Sequence, residues 1–545
     1  MALNRRRFLA GSAAVAAGTA TAAGLGARST VARADSTVPP NILVVIVDEM
    51  RAPQWFPSVG ELDRMLPNIA RIRQRAVSFE RYYTASNACT PARSTMLSGL
   101  YTHQTGVMLT AGNSVTTLSP GFPTWGSMLR EQGYSTNWYG KWHLSDHADN
   151  VPGGMEEYGF DGGTYPSPNG GAGLGLRADP GSADQFVEWF DANGDRGPWC
   201  TTVSFLNPHD ILYWKTAAHV AADIPSVITS LPPNFQTDEE IRRTRPAFQS
   251  MFIEFTKLVF GTPDWGPDSA AEWIRLQNIY LWLQQQVDIQ IGRVLDALAS
   301  RPGVADNTIV IFTADHGDYA ASHGLHGKGG AAYEEGIRVP LLIHDPRGVY
   351  GSGTASTRSQ LVSSVDLAPL LLTLATGSDD WRADLRYQHL RDRANIAAIC
   401  RDSRTAGRPW VAHLTDEFSI EESTRPFGLG PAGHIQALIT PTAKLVTYSH
   451  WADATINIDT GREQEFELYD YTTDRGRSEL DNLAGASPLQ QQLHDLLINT
   501  VLPTETRLPL PPALRDAQEQ GMADYFAHAN ILQNMLTGQL HEGNG

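Results

Sequence analysis

Short apolar runs, each followed closely by polar or charged residues, recur up to about residue 343 of the chain. Four of them lie at residues 42–47, 203–206, 309–312 and 339–343. Continuous Val, Ile and Leu without alternation is typical of strands in a parallel sheet that is covered on both faces. Pro340 weakens the fourth prediction, because Pro is tolerated mainly at the starts and edges of strands.

Segments with helical spacing separate these runs. The longest lies at 270–300, with apolar side chains at Leu276, Tyr280, Leu283, Val287, Ile291, Val294 and Leu298. Strands that alternate with helices predict a mostly parallel, doubly wound sheet. Beyond about residue 400 the pattern changes, and short runs at 436–439, 444–448 and 466–471 predict a smaller antiparallel sheet. Residues 211–261 predict a long surface excursion.

These elements predict an α/β fold with a large, mostly parallel central sheet flanked by helices. At roughly 150 residues per domain, 545 residues allow three or four domains, or one large α/β domain with a smaller companion. We divide the chain into residues 1–34, an α/β domain at 35–400 and a C-terminal subdomain at 401–545. The last part carries the small antiparallel sheet and a helical tail.

The N-terminus has the composition of a targeting signal. NRRRFL at residues 4–9, an Ala- and Gly-rich stretch and Ala32-Arg33-Ala34 are typical of a twin-arginine signal with a small-residue cleavage site. A membrane anchor is the alternative, but Ala, Gly and Thr are too weakly apolar to hold a span well. No other stretch approaches the roughly 18 apolar residues of a spanning helix. We expect a soluble protein without a stable membrane span, exported by the twin-arginine translocation machinery and periplasmic or secreted.

Composition narrows the range of partners. Hydrophobic residues make up 41% and charged residues 19%, which excludes a wholly disordered chain. The formal charge of −17 becomes −22 without residues 1–34, so no nucleic-acid partner is expected. An anionic substrate stays compatible, because a few basic residues in one cleft set the local potential. The three cysteines, an odd number, argue against a disulfide framework.

Chemically active side chains follow several predicted strands. In open α/β sheets, ligands bind at the carboxyl ends of the strands. The pairs found there are Asp48 and Glu49, Lys141 and His143, His209 and Asp210, and Asp315 and His316. One such pair alone is more typical of a cap or turn, but four strand ends together indicate a site. Carboxylates supply hard oxygen ligands for a divalent cation, and Lys and His supply charge and proton transfer for a bound anion.

The centre of the predicted site is SNACTPARST at residues 86–95. Pro91 suits the first turn of a helix, where its missing N–H costs nothing. Cys89 and Arg93 then lie four residues apart, near one face and near the N-terminus of that helix. A helix N-terminus favours anions and lowers the pKa of a thiol. This arrangement favours a nucleophile at an anion site over a cysteine that only packs.

CTPAR at residues 89–93 matches the C-x-P-x-R signature of type I sulfatases, a family of the alkaline phosphatase superfamily. The following STMLSGLYTHQTGV also resembles that family. Further blocks agree in the same order: NILVVIVDEMR, GKWHL, SFLNPHD, TIVIFTADHGD, HGKGGAAYEEGIRVPLLI and ELYDYTTDRGRSELDNLA. The resemblance spans about residues 41–484 and implies a sulfuric ester hydrolase.

The resemblance implies that a formylglycine-generating enzyme oxidises Cys89 to formylglycine. The hydrate of this aldehyde would attack the sulfur of a sulfate ester and form a covalent sulfo-enzyme, from which its second hydroxyl expels sulfate. The resemblance also implies roles for other side chains. Arg93 would stabilise the hydrate, Lys141 and Lys328 would bind sulfate oxygens, His143 would accept the hydroxyl proton during elimination, and His209 would protonate the leaving alcohol with help from Lys328.

By the same resemblance, a divalent metal, usually calcium, would polarise the hydrate and a sulfate oxygen. Its ligands would be Asp48, Glu49, the modified Cys89, Asp315 and His316. Glu49 stands where many members have Asp, and His316 where many have Asn. Imidazole is a softer ligand than an amide oxygen, so manganese or another transition ion is the alternative to calcium. For Glu49 the alternative is a turn of its longer side chain toward a neighbouring Arg.

We therefore expect hydrolysis of a small-molecule or carbohydrate sulfate ester. His316 after Asp315 also resembles the related phosphonate monoester hydrolases and phosphodiesterases, which share the modified cysteine, so those activities are the alternative. A non-catalytic carbohydrate-binding or scaffold protein of the same fold is disfavoured, because every position that a catalyst needs is filled.

Other polar residues near the predicted site are interpreted as structural. His323 and His326 lie close to Lys328 in the sequence and are taken as loop or packing residues. Glu334, Glu335 and Arg338 are taken as an ion-pair cluster before a strand.

Overall fold

Two β-sheets organise the computed structural model, which describes residues 38–54, 58–110, 117–220, 223–265, 269–416, 431–452, 455–485 and 487–536. The strands are β1 (Asn41–Val47), β2 (Val77–Tyr83), β3 (Ser135–Gly140), β4 (Asp161–Gly162), β5 (Trp199–Phe205), β6 (Thr308–Ala314), β7 (Leu341–His344), β8 (Ser356–Ser363), β9 (Val411–Thr415), β10 (His434–Ile439), β11 (Ala443–Ser449) and β12 (Glu465–Asp470). Within these ranges, eight strands form one sheet in the order β4-β3-β5-β1-β6-β7-β2-β8, and four form an antiparallel sheet, β12-β11-β10-β9. The predicted α/β class, with a large and mostly parallel sheet, is confirmed.

Helices connect the strands and flank the larger sheet. They are α1 (Val59–Met65), α2 (Pro67–Arg73), α3 (Cys89–Ser98), α4 (Thr102–Thr105), α5 (Trp125–Arg130), α6 (Asp146–Asn150), α7 (Leu174–Asn193), α8 (Trp214–Val220), α9 (Asp238–Thr244), α10 (Ala247–Phe260), α11 (Ala270–Ala299), α12 (Pro302–Ala305), α13 (Glu334–Ile337), α14 (Leu367–Thr376), α15 (Ile396–Arg401), α16 (Asp474–Arg477), α17 (Pro488–Leu496) and α18 (Pro512–Leu536). A π-helical segment follows α17 at Leu497–Thr506, and a short 3-10 turn follows β5 at His209–Tyr213. The long helix predicted from the apolar spacing at residues 270–300 is confirmed by α11.

β1 lies inside the larger sheet, and all of its residues are buried. Val45 pairs in parallel register with Val203 of β5 on one side and with Phe312 of β6 on the other. An uninterrupted apolar run is needed where both faces of a sheet are covered, which is why the sequence pattern located this strand correctly.

β7 differs from its prediction. The run at residues 339–343 was expected to be parallel, but β7 begins after Pro340 and pairs antiparallel with both β6 and β2. A parallel strand requires a crossover connection that returns the chain to the opposite end of the sheet. Here the loop that follows β6 re-enters the sheet at the same end, so the strand that follows it must run in the opposite direction.

The segment at residues 211–261 is also different from its prediction. It is not a surface excursion, because it forms α8, α9 and α10 and buries Ile241, Phe252 and Ile253. The buried positions of α10 recur at helical spacing, which places one face of the helix against the rest of the protein. The prediction of a surface excursion was therefore wrong, because the segment contributes buried side chains.

The smaller sheet shares its core with the rest of the protein. Leu438 and Leu445, from β10 and β11, lie in a buried cluster with Tyr101 and Val365. The small antiparallel sheet that was predicted beyond residue 400 is thus confirmed. The proposed division of the chain at residue 400 remains a prediction.

The predicted signal at residues 1–34 lies outside the described residues. Among the helices that the structure describes, none combines the length and the apolar character needed to cross a bilayer. The export route therefore stays a prediction.

The three cysteines are all buried and unpaired. Burial raises the pKa of the Cys400 thiol to about 12, and burial raises that of Cys200 as well. Both thiols are thus protonated, unreactive core residues. Cys89 has a different environment, described below.

The order of the strands brings the predicted site residues together. β3, β5, β1 and β6 are consecutive neighbours in the larger sheet and run parallel to one another. Lys141, His209, Asp48 and Asp315 follow the carboxyl ends of these strands. They are therefore gathered at one edge of the sheet, where open α/β folds bind ligands.

Candidate active site

Cys89 is the first residue of α3, and its side chain is buried. The residue before it supplies no side-chain cap, and the first backbone bond of the helix runs from Ala92 N to Ala88 O at 2.8 Å. Pro91 lies in the first turn, where its missing N–H leaves no acceptor unsatisfied. The positive end of α3 is thus directed toward the edge of the sheet that carries the other site residues.

Arg93 lies one turn further along α3 and is completely buried. Its Nε donates to Asp315 Oδ2 and its Nη2 to Asp48 Oδ2, both at 2.9 Å. Its Nη1 donates to the carbonyl of Lys141 at 2.9 Å and to Ser204 Oγ at 3.0 Å. One guanidinium therefore joins α3 to the ends of β1, β3, β5 and β6. Its predicted contact with a hydrated aldehyde stays a prediction, since these four bonds go to two carboxylates, one backbone carbonyl and one hydroxyl.

Positively polarised groups surround the sulfur of Cys89. Lys328 Nζ lies 2.9 Å from Sγ, His316 Nε2 lies 3.3 Å away and Lys141 Nζ lies 3.5 Å away. Burial by itself would raise the pKa of the Cys89 thiol, but the charges of Lys141, Lys328 and His316 outweigh it and hold that pKa well below its usual range. The site is therefore built to stabilise negative charge at this side chain.

The donor atoms beside Cys89 fit a divalent cation. Asp48, Cys89, Asp315 and His316 each offer one ligand atom, and these atoms all lie within 4.8 Å of one another. His316 Nε2 is 3.8 Å from Asp48 Oδ1 and 3.8 Å from Asp315 Oδ1. Neighbouring ligands of an ion with bonds of about 2.0–2.6 Å lie about 3–4 Å apart, which these separations match. Two carboxylates and an imidazole suit both a hard ion and a borderline one.

Glu49 has an unusual backbone and a different partner. Its φ is 68°, its N–H donates to Asp315 Oδ1 at 3.1 Å, and its carbonyl accepts from the Tyr280 hydroxyl at 2.7 Å. This left-handed conformation costs a non-glycine residue about 1–3 kcal/mol and is typical of functional sites. The side chain turns to Lys328, with Oε2 2.9 Å from Nζ, and not to an Arg. Its role as a metal ligand stays a prediction.

The charge state of Glu49 reflects this environment. Burial raises its pKa well above the usual range, Lys328 opposes that shift, and Asp318 and Asp48 add to it. Within the described residues, Glu49 Oε1 and Asp318 Oδ2 have no hydrogen-bond partner. Asp318 is completely buried and is a site residue that sequence reasoning did not single out. It stands in the TADHGD block, which was the available signal.

Lys141 and His143 are positioned by the end of β3. Gly140 has a φ of 90°, and a Cβ on it would lie 2.0 Å from the Ser204 carbonyl oxygen, so only glycine allows this close approach to β5. Lys141 Nζ then lies 2.7 Å from Asp48 Oδ2. His143 also has a positive φ, 58°, and its N–H donates to Asp149 Oδ1 at 2.9 Å.

His209 begins the 3-10 turn after β5 and is 5% exposed. Its Nε2 lies 4.0 Å from Glu49 Oε2. Burial and the nearby charges of Lys328 and Lys141 lower its pKa to about 3, with Cys89 and Asp48 opposing them. The imidazole is therefore neutral at neutral pH and lies within range of the charges of both lysines and of Cys89.

The residues interpreted as structural have structural contacts. His326 bonds Thr262 Oγ1 at 3.1 Å and the Ile211 carbonyl at 2.9 Å. The His323 ring stacks on Tyr333 with 3.7 Å between ring centroids. Arg338 pairs with Glu334 at 3.0 Å, as predicted for this cluster.

Glu335 has a different partner from the one predicted. Its Oε1 accepts from Asn234 Nδ2 at 2.8 Å, and its Oε2 lies 3.6 Å from His323 Nε2. The expected cluster of Glu334, Glu335 and Arg338 is therefore divided between two sets of contacts.

Comparison with known proteins identifies the family of the chain. The family model described as Sulfatase matches residues 40–378, more than half of the chain. An uncharacterized sulfatase of Escherichia coli (strain K12), YidJ, is 26% identical over 391 residues, covering 66% of this chain and 71% of that protein. The matched residues 40–378 include every predicted site residue, from Asp48 to Lys328.

Solved structures share the fold. A putative sulfatase from Bacteroides thetaiotaomicron has a TM-score of 0.64 at 22% identity, covering 85% of this chain and 92% of that one. A phosphonate monoester hydrolase from Silicibacter pomeroyi has a TM-score of 0.61 at 21% identity, covering 85% and 95%. At these identities the likeness concerns the fold alone.

The family match decides the class of the protein. The chain belongs to the sulfatase family of the alkaline phosphatase superfamily. It is an enzyme, a sulfuric ester hydrolase.

Arg93 provides a test of how the site is held together. Replacing it by Met leaves Asp48 and Asp315 buried without their guanidinium partner, so Arg93→Met should lower the free energy of unfolding by about 3–5 kcal/mol. The measurement is denaturant unfolding with a chelator present. Arg386→Met is the matched control, because that side chain pairs with Asp384 and Glu131 on the surface and its loss should barely move the midpoint. Equal shifts for the two variants would contradict a structural role for Arg93.

Proposed function

We propose that this enzyme hydrolyses sulfate esters through a formylglycine derived from Cys89, with one divalent metal ion. The observation that carries the proposal is the set of donors around Cys89 Sγ, with Lys328 at 2.9 Å, His316 at 3.3 Å and Lys141 at 3.5 Å. Such preorganised donors stabilise charge that develops during transfer of an anionic group. A structural cysteine needs none of them, as Cys200 illustrates.

Formylglycine, when present at position 89, supplies as its hydrate one hydroxyl to attack sulfur and a second to release sulfate. The buried position at the N-terminus of α3 fixes that group and keeps bulk water away from it. Maturation requires a formylglycine-generating enzyme as a partner of the unmodified chain.

The two lysines are proposed to bind the sulfate oxygens. Lys141 is completely buried and Lys328 is largely buried, so both ammonium groups act where solvent screening is weak. Lys141 forms an ion pair with Asp48 and Lys328 with Glu49, and these carboxylates hold the two ammonium groups beside Cys89 Sγ. An incoming sulfate would therefore meet the positive charges of both lysines next to the nucleophile.

His209 and His143 are proposed to move protons. His209 protonates the leaving alcohol, with Lys328 beside it, and His143 takes the proton of the hydroxyl that remains. The low pKa of His209 reflects burial and the two lysine charges. A bound sulfate ester brings negative charge that opposes those lysines and so favours the protonated imidazole that an acid requires.

Asp48, Asp315 and His316, with Glu49 and residue 89, are proposed to hold the metal. When bound, the ion supplies Lewis-acid polarisation of the nucleophile and of a sulfate oxygen. We propose calcium, with manganese or another transition ion as the alternative, because His316 adds a softer donor to the carboxylates.

Hydrolysis of phosphonate monoesters or phosphodiesters is the second candidate. The observation that favours it is the imidazole of His316 beside Cys89, and a phosphonate monoester hydrolase shares the fold. The deciding assay compares an aryl sulfate with an aryl phosphonate monoester under the same metal. We expect faster turnover of the sulfate, and a clear preference for the phosphonate would overturn the leading proposal.

Small-molecule and carbohydrate sulfates are the proposed substrates.

We further propose export through the twin-arginine route, on the basis of NRRRFL and the small-residue stretch after it. That route carries folded proteins, so oxidation of Cys89 and metal binding can precede transport. Residues 35–400 are proposed as the catalytic domain and 401–545 as a C-terminal subdomain.

One prediction of this proposal concerns Cys89. Mass analysis of its peptide should show the mass loss of a thiol-to-aldehyde conversion after expression with the maturation enzyme. Cys89→Ala should abolish sulfatase turnover without unfolding the protein, and Cys89→Ser should do the same when the oxidising enzyme accepts only cysteine. Cys400→Ala, the matched control in the core, should keep its activity. Substantial activity of Cys89→Ala would contradict the nucleophile assignment.

Another prediction separates sulfate binding from acid catalysis. Lys141→Ala should lower the rate by roughly 10²–10³ for all esters, the usual loss for one preorganised donor. His209→Ala should cost far more on an alkyl sulfate than on a nitrophenyl sulfate, because only the poor leaving group needs protonation. Surface variants Lys257→Ala and His147→Ala should change neither rate. Equal losses of His209→Ala on both esters would remove its acid role.

A further inference from the structure

We propose that Asp179 and Asp210 are positioning residues that hold His209 in place as the acid of this enzyme. Neither carboxylate belongs to the metal or sulfate groups described above. The inference rests on the proposed function, because it takes His209 as the proton donor. It follows from a reciprocal pair of hydrogen-bonded clamps between helix α7 and the turn that carries His209.

The first clamp runs from the helix to the turn. Asp179 lies on α7, is 2% exposed, and accepts from Leu206 N with Oδ1 at 2.6 Å and from Asn207 N with Oδ2 at 2.9 Å. Burial raises the pKa of Asp179 to about 8, whereas the two N–H donors lower it. Each of the two donors has its own acceptor oxygen in the carboxyl group. This clamp fixes the backbone two and three residues before His209.

The second clamp runs from the turn to the helix. Asp210 follows His209 directly and is completely buried. Its Oδ1 accepts from Gly175 N and its Oδ2 from Leu176 N, both at 3.1 Å. These are N–H groups in the first turn of α7, which have no acceptor inside the helix. The backbone is therefore held on both sides of His209 by the same helix.

His209 depends on this backbone because its ring has few polar contacts, among them a side-chain hydrogen bond with Cys89. Within the described residues, Nδ1 has no hydrogen-bond partner, and Nε2 is 4.0 Å from Glu49. Gly170 packs against the ring, since a Cβ at Gly170 would lie 2.8 Å from Cε1. A metal-free catalytic histidine is commonly oriented by a second polar side chain, as in a Ser-His-Asp triad. Here the orientation comes from the two clamps, from contact with Gly170 and from the hydrogen bond with Cys89.

The fold contains a matched control for these carboxylates. Asp288 on α11 is 2% exposed and accepts from Ile69 N at 2.8 Å and Asn68 N at 3.1 Å, in the first turn of α2. Like Asp210, it accepts N–H groups from the first turn of a helix, and it also accepts from Asn68 Nδ2 at 2.9 Å. Asp288 is eight residues, about 12 Å along the helix, from Tyr280, which contacts Glu49. Replacing Asp288 therefore measures the effect of losing a buried clamp on stability alone, because this clamp does not hold the turn that carries His209.

The experiment compares Asp179→Asn, Asp210→Asn and Asp288→Asn in the matured holoenzyme, on an alkyl sulfate and on a nitrophenyl sulfate. Asn keeps the size but turns one acceptor into a donor, so each clamp loses one bond. We expect the two clamp variants to lose about 10–100-fold in kcat on the alkyl sulfate, as for a reacting group displaced by about 1 Å. Their loss on nitrophenyl sulfate should stay below about threefold, and Asp288→Asn should affect both esters equally.

A second measurement separates positioning from simple destabilisation. In a His209→Ala background, Asp179→Asn should cause no additional loss on the alkyl sulfate, because residues that act through one group are not additive. If Asp210→Asn does not fold, Asp210→Ser retains a capping oxygen and should show the same dependence on the leaving group.

The inference is overturned if the clamp variants lose equal activity on both esters, or if their loss persists in the His209→Ala background. A wild-type enzyme that is inactive on every sulfate ester would instead overturn the proposed function, and this inference with it.

Discussion

The ion pairs of Arg93 with Asp48 and Asp315 are the interaction on which the site depends. All three side chains are buried, and both N···O distances are 2.9 Å. Burying charge is costly unless the partners are close and fully hydrogen-bonded, and here every nitrogen of the guanidinium has an acceptor. The same contacts fix α3 relative to the strand ends, so the position of Cys89 follows from them.

Around this bridge, the fold holds several strained or costly features in place. Glu49 and His143 have positive φ values, and Lys141 and Lys328 are drawn toward Cys89 Sγ. Each would relax in an isolated peptide. They persist because the buried strands of the larger sheet fix the backbone conformation around them. The core thus stabilises an electrostatic arrangement that is unfavourable by itself and useful for binding an anion.

Acidic side chains in this protein serve two distinct purposes. Asp48 and Asp315 offer oxygen atoms beside Cys89 and contribute charge to the site, whereas Asp179, Asp210 and Asp288 accept backbone N–H groups and offer no atom to that group of ligands. Both groups of aspartates are buried, and both lie on or beside helices and strands. Chemical type therefore does not distinguish them, and only their contacts do.

The sequence by itself determined the buried strands, the residues at their carboxyl ends and the helix start at Cys89, because these follow from local periodicity and from a contiguous motif. Tertiary structure alone decided the direction of β7, the helices within residues 211–261 and the pairing of Glu49 with Lys328. Those features depend on contacts between distant parts of the chain; Glu49 N and Asp315 Oδ1 are separated by 266 residues. A local pattern records which residues are available at a strand end, but the partner of each side chain is set by which elements the completed fold brings against it.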